Sequence, residues 1–308
     1  MSTRTSRRAG VGVAVASARE LSDRLGVPLL GVARPGAVGL MPPGVLLRAA
    51  DGWVHPGPPT AWEEFAAMVH SLDPSVPHSP VGALPSLSHL SAAVVDGEAG
   101  AWQLPAVAAR AEPAPPAPVP TTPDDPGLDG AVVVVLGATW AAPLAATVLA
   151  ALGAHVVRVT DPRRPDPFPL RAQLRRGQVI RPIDLGRPGG RDALATLLDQ
   201  SDLLVDATTP RVLANVGLDH AATPSVRIAA FAEGDRPGYG LAAEARGGWA
   251  ARHDPPRLGR SSVADPIAGL LAALHAVDLL MRGEPSARAR VSLEEAVGLL
   301  LDRERHGG

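Results

Sequence analysis

Lysine and cysteine are both absent from the 308 residues, so all 29 basic side chains are arginines. That excludes a Schiff base, a pyridoxal anchor and a phosphate-loop lysine. It also excludes a thiolate nucleophile, a disulfide and a thiolate metal site. The chemistry left to the chain rests on carboxylates, histidines, hydroxyls and a single tyrosine, Tyr239. His155, His253 and His275 lack metal-ligand spacing and read as solvated or satisfied core residues, so neither a metal nor a redox cofactor is expected. Gly186, Gly189 and Gly190 are turn glycines rather than a GxGxxG, and Thr209 with Pro210 makes no phosphate loop. The segment VADPIAGLLAALHAVDLLM, Val263 to Met281, opens on Asp265 directly before Pro266. An Asp-Pro pair ahead of an apolar run marks a helix start, with the aspartate as cap and the proline at the first helical position.

The elements that must position these groups centre on Ala131 to Val157, which contains no Asp, Glu or Arg. Its length would serve a membrane span, but its punctuation reads as βαβ. AVVVVL (Ala131 to Leu136) is a β-branched strand, Gly137 and Pro143 bracket a turn, Pro143 to Leu152 is a short Ala/Leu helix stopped by Gly153, and His155 to Val159 is a second buried strand. An Arg-rich loop, a helix from Arg191 to Gln200 and the strand LLVDAT follow. Thr208 and Thr209 then lie in a loop at that strand's carboxyl end, where open α/β sheets bind ligands. Val226 to Phe231 is a further strand and Asp265 to Met281 a long apolar helix.

Ala111 to Pro126, AEPAPPAPVPTTPDDP, holds too many prolines for a helix or a central strand and reads as a semi-rigid linker. It divides the chain into 1–110, 111–126 and 127–308. Before it, extended segments at Val45 to Leu47 and Gly52 to Val54 precede a helix from Trp62 to Leu72, while Ser79 to Leu104 is ambiguous. Nine aromatics and a net charge of -2 argue against a nucleic-acid surface. The N-terminal apolar run, Val11 to Ala18, is short and weakly hydrophobic, and the amphipathic ARELSDRLG follows it, so secretion is not expected. The expected location is cytoplasmic, without a membrane partner.

The order of these segments resembles the family III coenzyme A transferases, such as the carnitine-CoA and formyl-CoA transferases, and the related α-methylacyl-CoA racemases. The resemblance rests on the βαβ opening, RRGQVIRPIDL (Arg175 to Leu185), GRDALATLLDQSDLLVDATTPRVLANVGLD (Gly190 to Asp219), GYGLAAEARGG (Gly238 to Gly248), VADPIAGLLAALHAVDLLMRGE (Val263 to Glu284) and the closing VSLEEAVGLLL. It runs in register from Gly130 to about Leu300. It implies an α/β protein with a Rossmann-like parallel-sheet large domain and a smaller α+β domain. PPGVLLRAADGWVHPGPPTAWEEFAAMV, Pro42 to Val69, is similar to the start of the family's small domain, which normally follows the large one. The chain then reads as circularly permuted, or cut from a tandem copy; the other reading is that 1–110 is an unrelated domain whose DGWV is chance.

In that family an aspartate attacks an acyl-CoA, forms a mixed anhydride and passes through an aspartyl thioester. The resemblance puts it at Asp265, where a helix dipole favours the ionised form and partial desolvation against a polarised thioester makes a carboxylate nucleophilic. The other reading of Asp265 is a helix cap. Tyr239 falls where racemases carry a histidine acid/base and transferases a tyrosine, or is simply a packed aromatic. Thr139 and Trp140 match positions near the thioester and pantetheine, or else cap and pad the turn. Arg158 stands where the family often has a basic residue near the CoA phosphates, although a lone arginine after a strand is usually solvated, and Arg175, Arg176 and Arg211 are the cations that could compensate for changes in the nucleotide-facing loop. Gln178 replaces the lysine of the nucleotide-facing loop, Ala207, Thr208 and Thr209 replace an Asn-Phe-Arg run, and Gly240 stands where an aspartate is frequent.

Two function classes follow. The first is a transferase, with coenzyme A as substrate and carrier, acting on an acyl-CoA or small carboxylic acid through an aspartyl acyl intermediate. The second is a noncatalytic or repurposed binding or partner subunit with a degraded CoA site. Asp265 favours the first, and Gln178 with the Ala-Thr-Thr triplet favours the second. Family members are interlocked dimers, and the Ala/Leu-rich stretch Ile267 to Met281 is more apolar than a solvated helix, so a homodimer is expected.

Overall fold

Two sheets, one antiparallel and one parallel, organise the described residues. A computed structural model describes residues 16–20, 23–24, 44–79, 87–123, 126–138, 140–163, 173–218, 223–259 and 261–306. The first sheet is small and antiparallel, in the order β1 (Leu47–Arg48), β2 (Trp53–His55), β3 (Val107–Ala108). Leu47 pairs with Val54, and Val54 in turn with Ala108. Helices α1 (Trp62–Leu72) and α2 (Ala92–Ala101) pack on it around Phe65, Met68, Val69 and Val95, all fully buried. The α1 boundaries coincide with the expectation. Helix α2 resolves the second half of the ambiguous segment.

The second sheet is parallel and six-stranded. Its strands are β4 (Val132–Leu136), β5 (His155–Thr160), β6 (Gln178–Pro182), β7 (Leu203–Asp206), β8 (Ser225–Ala229) and β9 (Arg288–Ser292). Their spatial order, β6-β5-β4-β7-β8-β9, reverses direction between β4 and β7, as in doubly wound α/β sheets. The βαβ opening is therefore a pair of parallel strands, Val132 against His155 through Leu136 against Val159, joined by α3 (Ala141–Ala151). Helix α3 begins two residues ahead of Pro143, which sits within its first turn, where a missing N–H is harmless. Residues 178–182, expected as loop, form the edge strand β6, pairing Val156 with Gln178 and Thr160 with Pro182. An edge position suits a segment that ends on proline.

The remaining helices are α4 (Pro188–Asp199), α5 (Pro210–Asn215), α6 (Gly240–Arg246), α7 (Ala264–Arg282) and α8 (Leu293–His306). Helix α7 is long and apolar enough to cross a membrane, but 72% of its apolar window lies inside the molecule. It packs on α3, and at Gly269 a Cβ would lie 2.7 Å from the Ala141 carbonyl oxygen, so glycine permits the close crossing. Its Ala/Leu content thus serves the molecule's own core, and that composition no longer argues for a dimer surface. Helix α3 is buried from Ala141 through Leu149, as expected of a helix that is hydrophobic all round.

The proline-rich stretch lies on the large unit as a strap. Ala114 and Ala117 are buried. The Ala114 N–H donates to the Gly247 carbonyl at 3.2 Å and the Ala117 N–H to the Glu295 carbonyl at 2.9 Å. A Cβ at Gly298 would meet the Pro115 carbonyl oxygen at 2.2 Å, so α8 accepts the strap only at glycine. The small unit docks through a shared apolar cluster of Val107, Phe231, Ala242, Ala245 and Leu258. Beside it Arg236 donates from Nη1 to Asp96 Oδ1 at 2.9 Å and from Nε to the Leu104 carbonyl at 3.0 Å.

Candidate active site

The carboxyl ends of the parallel strands open into a crevice of about 560 Å³ that spans the β4/β7 reversal, the place where open α/β sheets take ligands. Arg163, Thr208, Arg227 and Tyr239 are among its walls. Asp206, the last residue of β7, is buried and organises one side. Its Oδ1 accepts the Thr208 N–H at 2.8 Å and the Thr208 hydroxyl at 2.7 Å, while its Oδ2 accepts Arg227 Nη1 at 2.7 Å. Arg227 also donates from Nη2 to the Thr208 carbonyl at 2.7 Å. The loop after β7 is thereby held by a charge-assisted bond from Arg227 to Asp206 and a second from Arg227 to the Thr208 carbonyl, and Arg227, so paired, lines the crevice. On another wall Arg163 pairs with Asp161 at 3.0 Å and with Asp184 at 3.4 Å.

Tyr239 bounds the crevice as the N-cap residue of α6 and is about half exposed, at 49%. Its neighbour Gly240 begins the helix. A Cβ on Gly240 would lie 1.9 Å from Asp265 Oδ2 and 2.0 Å from Ser262 Oγ. Only a bare Cα leaves room for the Asp265 carboxyl, which packs against Gly240 and is not among the residues that line the crevice.

Asp265 is the second residue of α7, and helix capping falls to other groups. Glu244, one turn beyond Gly240 on the same face of α6, is fully buried. Its Oε1 accepts the N–H of Val263 at 2.6 Å and of Ala264 at 3.4 Å. Ser262 Oγ accepts the N–H of Ala264 at 3.1 Å and of Asp265 at 3.2 Å. The first donors of α7 are thus satisfied from outside, as a helix start requires. Helix α7 begins at Ala264, so Pro266 stands third rather than first.

Burial pushes the Asp265 carboxyl up to about 6, against the opposing pull of the Ser262 hydroxyl and the aspartate's own backbone N–H. Burial pushes Glu244 up to about 8, opposed by the Val263 N–H, the Ser262 hydroxyl and the Ala264 N–H and reinforced by the nearby Asp265 charge. A carboxylate that is ionised at neutral pH yet more basic than usual is suited to nucleophilic attack.

The structure brings together Asp265 and the Tyr239–Gly240 pair, and it places Thr208 on the crevice wall. It puts Arg158 and Gln178 elsewhere. Arg158 is fully buried on β5 and donates from Nε to Gln178 Oε1 at 2.9 Å, and Gln178 Nε2 donates to Thr147 Oγ1 of α3 at 2.8 Å. Both lie outside the crevice lining, in a polar network between sheet and helix. Trp140 precedes α3 and packs against the main core. Arg176 is exposed and also outside the lining. Thr139 lies outside the described residues. Glu244, Ser262, Asp206 and Arg227 escaped sequence reasoning; the signal open to it was Gly240, already noted as a departure, whose missing side chain is the counterpart of the Asp265 position. Among the described residues no three His, Cys, Asp or Glu side chains gather as metal ligands would.

Comparison with known proteins bears on this arrangement. The family model for CoA-transferase family III matches residues 128–297, which include β4 through α7. The succinyl-CoA–D-citramalate CoA-transferase of Chloroflexus aurantiacus is 29% identical over 195 residues, 53% of this chain and 48% of that protein. The CoA-transferase/lyase DddD of a Marinomonas species is 34% identical over 96 residues, 31% of this chain and 12% of that one. The chain therefore spans half or less of the curated relatives it matches. Among solved structures, the hypothetical protein Rv3272 from Mycobacterium tuberculosis shares the fold, with a TM-score of 0.53 at 24% identity over 61% of this chain and 60% of that one. With more than half of its length, including the whole crevice and the Asp265 helix, matched by one family model, this chain belongs to CoA-transferase family III.

Proposed function

We propose that the protein is a CoA transferase in which Asp265 carries the acyl group between carriers. The observation behind this reading is Asp265 itself: a carboxyl held against the bare Cα of Gly240, relieved of capping by Glu244 and Ser262, and raised by burial to about 6. An Asp265 carboxylate oxygen attacks the thioester carbonyl carbon; the C–S bond breaks and CoA leaves as the thiolate, giving a mixed anhydride. The thiolate then attacks the aspartyl carbonyl, releasing the first carboxylate and leaving an aspartyl-CoA thioester. An acceptor carboxylate reverses both steps, so that a new acyl-CoA departs and the Asp265 carboxylate is restored. Tyr239 lines the crevice next to Gly240, against which Asp265 packs, and its phenol can orient the thioester. Thr208 and Arg227 face the phosphate-bearing part of CoA, with Arg227 supplying a cation where Gln178 does not.

The segment order, small unit before large, fits a permuted family member, and the family relationship favours a homodimer. One relative acts on succinyl-CoA and citramalate, as its name states, so succinyl-CoA with a panel of small carboxylic acids is the first assay. New CoA thioesters read by liquid chromatography and mass spectrometry are the expected result. The absence of Asp265 from the crevice lining, and the use of Arg158 and Gln178 in the interior, favour the second reading, a partner subunit. CoA binding without any new thioester from the panel would turn the assignment toward it.

A further inference from the structure

Glu244 is a fully buried carboxyl beside the start of α7 that the reaction above does not use. It stands on the same face of α6 as Gly240, and that face meets the start of α7. Oε1 takes two backbone N–H groups, while Oε2 is buried and meets no hydrogen-bond donor of the described residues. Ser262 lies between the two acids. Its oxygen already accepts two N–H groups, and its single O–H can serve only one carboxyl at a time. A fully buried carboxyl and a partly buried one that share one hydroxyl cannot both ionise cheaply.

We propose that Glu244 is a positioning residue that keeps its proton, on Oε2, while Asp265 is ionised, so that this pair of neighbouring carboxyls holds a single negative charge and the first turn of α7 stays in place for attack. The inference rests on the transferase reading of Asp265 for its consequence in catalysis but not for its test. A neutral Glu244 still accepts both N–H groups through its carbonyl Oε1, more weakly than an ionised one, and it leaves the Ser262 hydroxyl to Asp265. Were Glu244 to ionise as well, the unpartnered Oε2 would carry charge without solvent or donor, which burial makes expensive.

Other charged groups on elements packed against α6 are engaged elsewhere. Glu294 of α8 faces Arg246 at 3.5 Å and Arg110 at 3.6 Å, and Arg252 pairs with Glu304. Arg246 also meets Asp96, and His55 of β2 contacts the Val45 carbonyl. Asp265 is the charge that acts on Glu244. On the side of Asp265 the further titratable neighbour is Tyr239, through Gly240.

The test is a site-resolved carboxyl titration of the full chain by ¹³C NMR, on wild type, Asp265→Asn and Glu244→Gln. Two separate midpoints are expected, with Glu244 near 8 and above Asp265. Removing the Asp265 charge in Asp265→Asn lowers the Glu244 midpoint, because the like charge that raised it is gone. A Glu244 that titrates in the ordinary carboxylate range, or one whose midpoint ignores Asp265→Asn, overturns the proposal. Where acyl adducts form, the rate for wild type rises through the Asp265 midpoint and falls through that of Glu244, and Glu244→Gln removes the alkaline fall. An alkaline fall that survives in Glu244→Gln counts against the proposal. A protein that forms no adduct but shows the coupled titration refutes the transferase reading and leaves this one standing.

Discussion

The carboxyl of Asp265 occupies the space that a side chain on Gly240 would fill: a Cβ there would stand 1.9 Å from Oδ2. The two positions, one at the start of α6 and the other in the first turn of α7, therefore constrain each other. Gly240→Ala should push Asp265 and Ser262 aside. Overpacking of this kind costs on the order of 1–3 kcal/mol, read as a lower midpoint in thermal or urea unfolding. Acyl adduct formation should fall with it. A variant with wild-type stability and wild-type adduct yield would show that the contact is not restrictive.

The sign of the pH effect at Asp265 follows from its direction. Burial raises the folded-state value from 3.8 to about 6, so its contribution to stability is full below about 3.8 and is lost as pH rises through about 6. Asp265→Asn should therefore be more stable than wild type at pH 8, on the order of 1–3 kcal/mol, with the difference closing toward pH 4. Because Glu244 and Ser262 hold the helix start, Asp265→Ala should not lose the roughly 1 kcal/mol that removing a true cap costs. Unfolding curves collected from pH 4 to 8 check both statements.

Gln178 offers a contrast between structure and binding. Gln178→Leu removes the acceptor for Arg158 Nε and the donor to Thr147. Losing partners for buried polar groups costs about 1–3 kcal/mol. The Kd for CoA, by calorimetry, should stay as in wild type, since the residue lies off the crevice. Weaker CoA binding with unchanged stability would place it at the nucleotide after all.

Arg227→Met should do both. It leaves the buried Asp206 carboxylate without its cation, at a cost on the order of 1–3 kcal/mol once the partial exposure of Arg227 is allowed for, and it weakens CoA binding. Asp206→Asn added to Arg227→Met should restore part of the stability and none of the binding, a separation that a double-mutant cycle reads directly.

How far the sequence could carry these conclusions varies by element. The strands at 132–136 and 155–160 and helix α1 were legible because their burial follows from their own residues: β-branched runs, or an apolar stripe at helical spacing. Strand β6 was not. QVIRP exposes Val179 and carries Arg181 and Pro182, and it becomes a strand only because β5 supplies its one ladder. Helix α2 hid because AAVVDGEAGA contains two glycines and spreads its apolar residues around the helix. Asp265 stood out by its place before Pro266 and an apolar run. Glu244 did not, because the N–H groups that it caps lie 19 and 20 residues further on. Arg158 misled for a similar reason: a charge at the carboxyl end of a strand looks solvated until the neighbouring strand is known to bring Gln178 alongside.

The most direct measurement is intact-mass spectrometry of the protein after incubation with succinyl-CoA, alongside Asp265→Asn. An aspartyl intermediate predicts a mass increase of one succinyl or one CoA group on the wild type, mapped by peptide analysis to the segment containing Asp265 and absent from Asp265→Asn, which should remain folded. An adduct of equal yield on Asp265→Asn, or one mapped to another residue, would contradict the account.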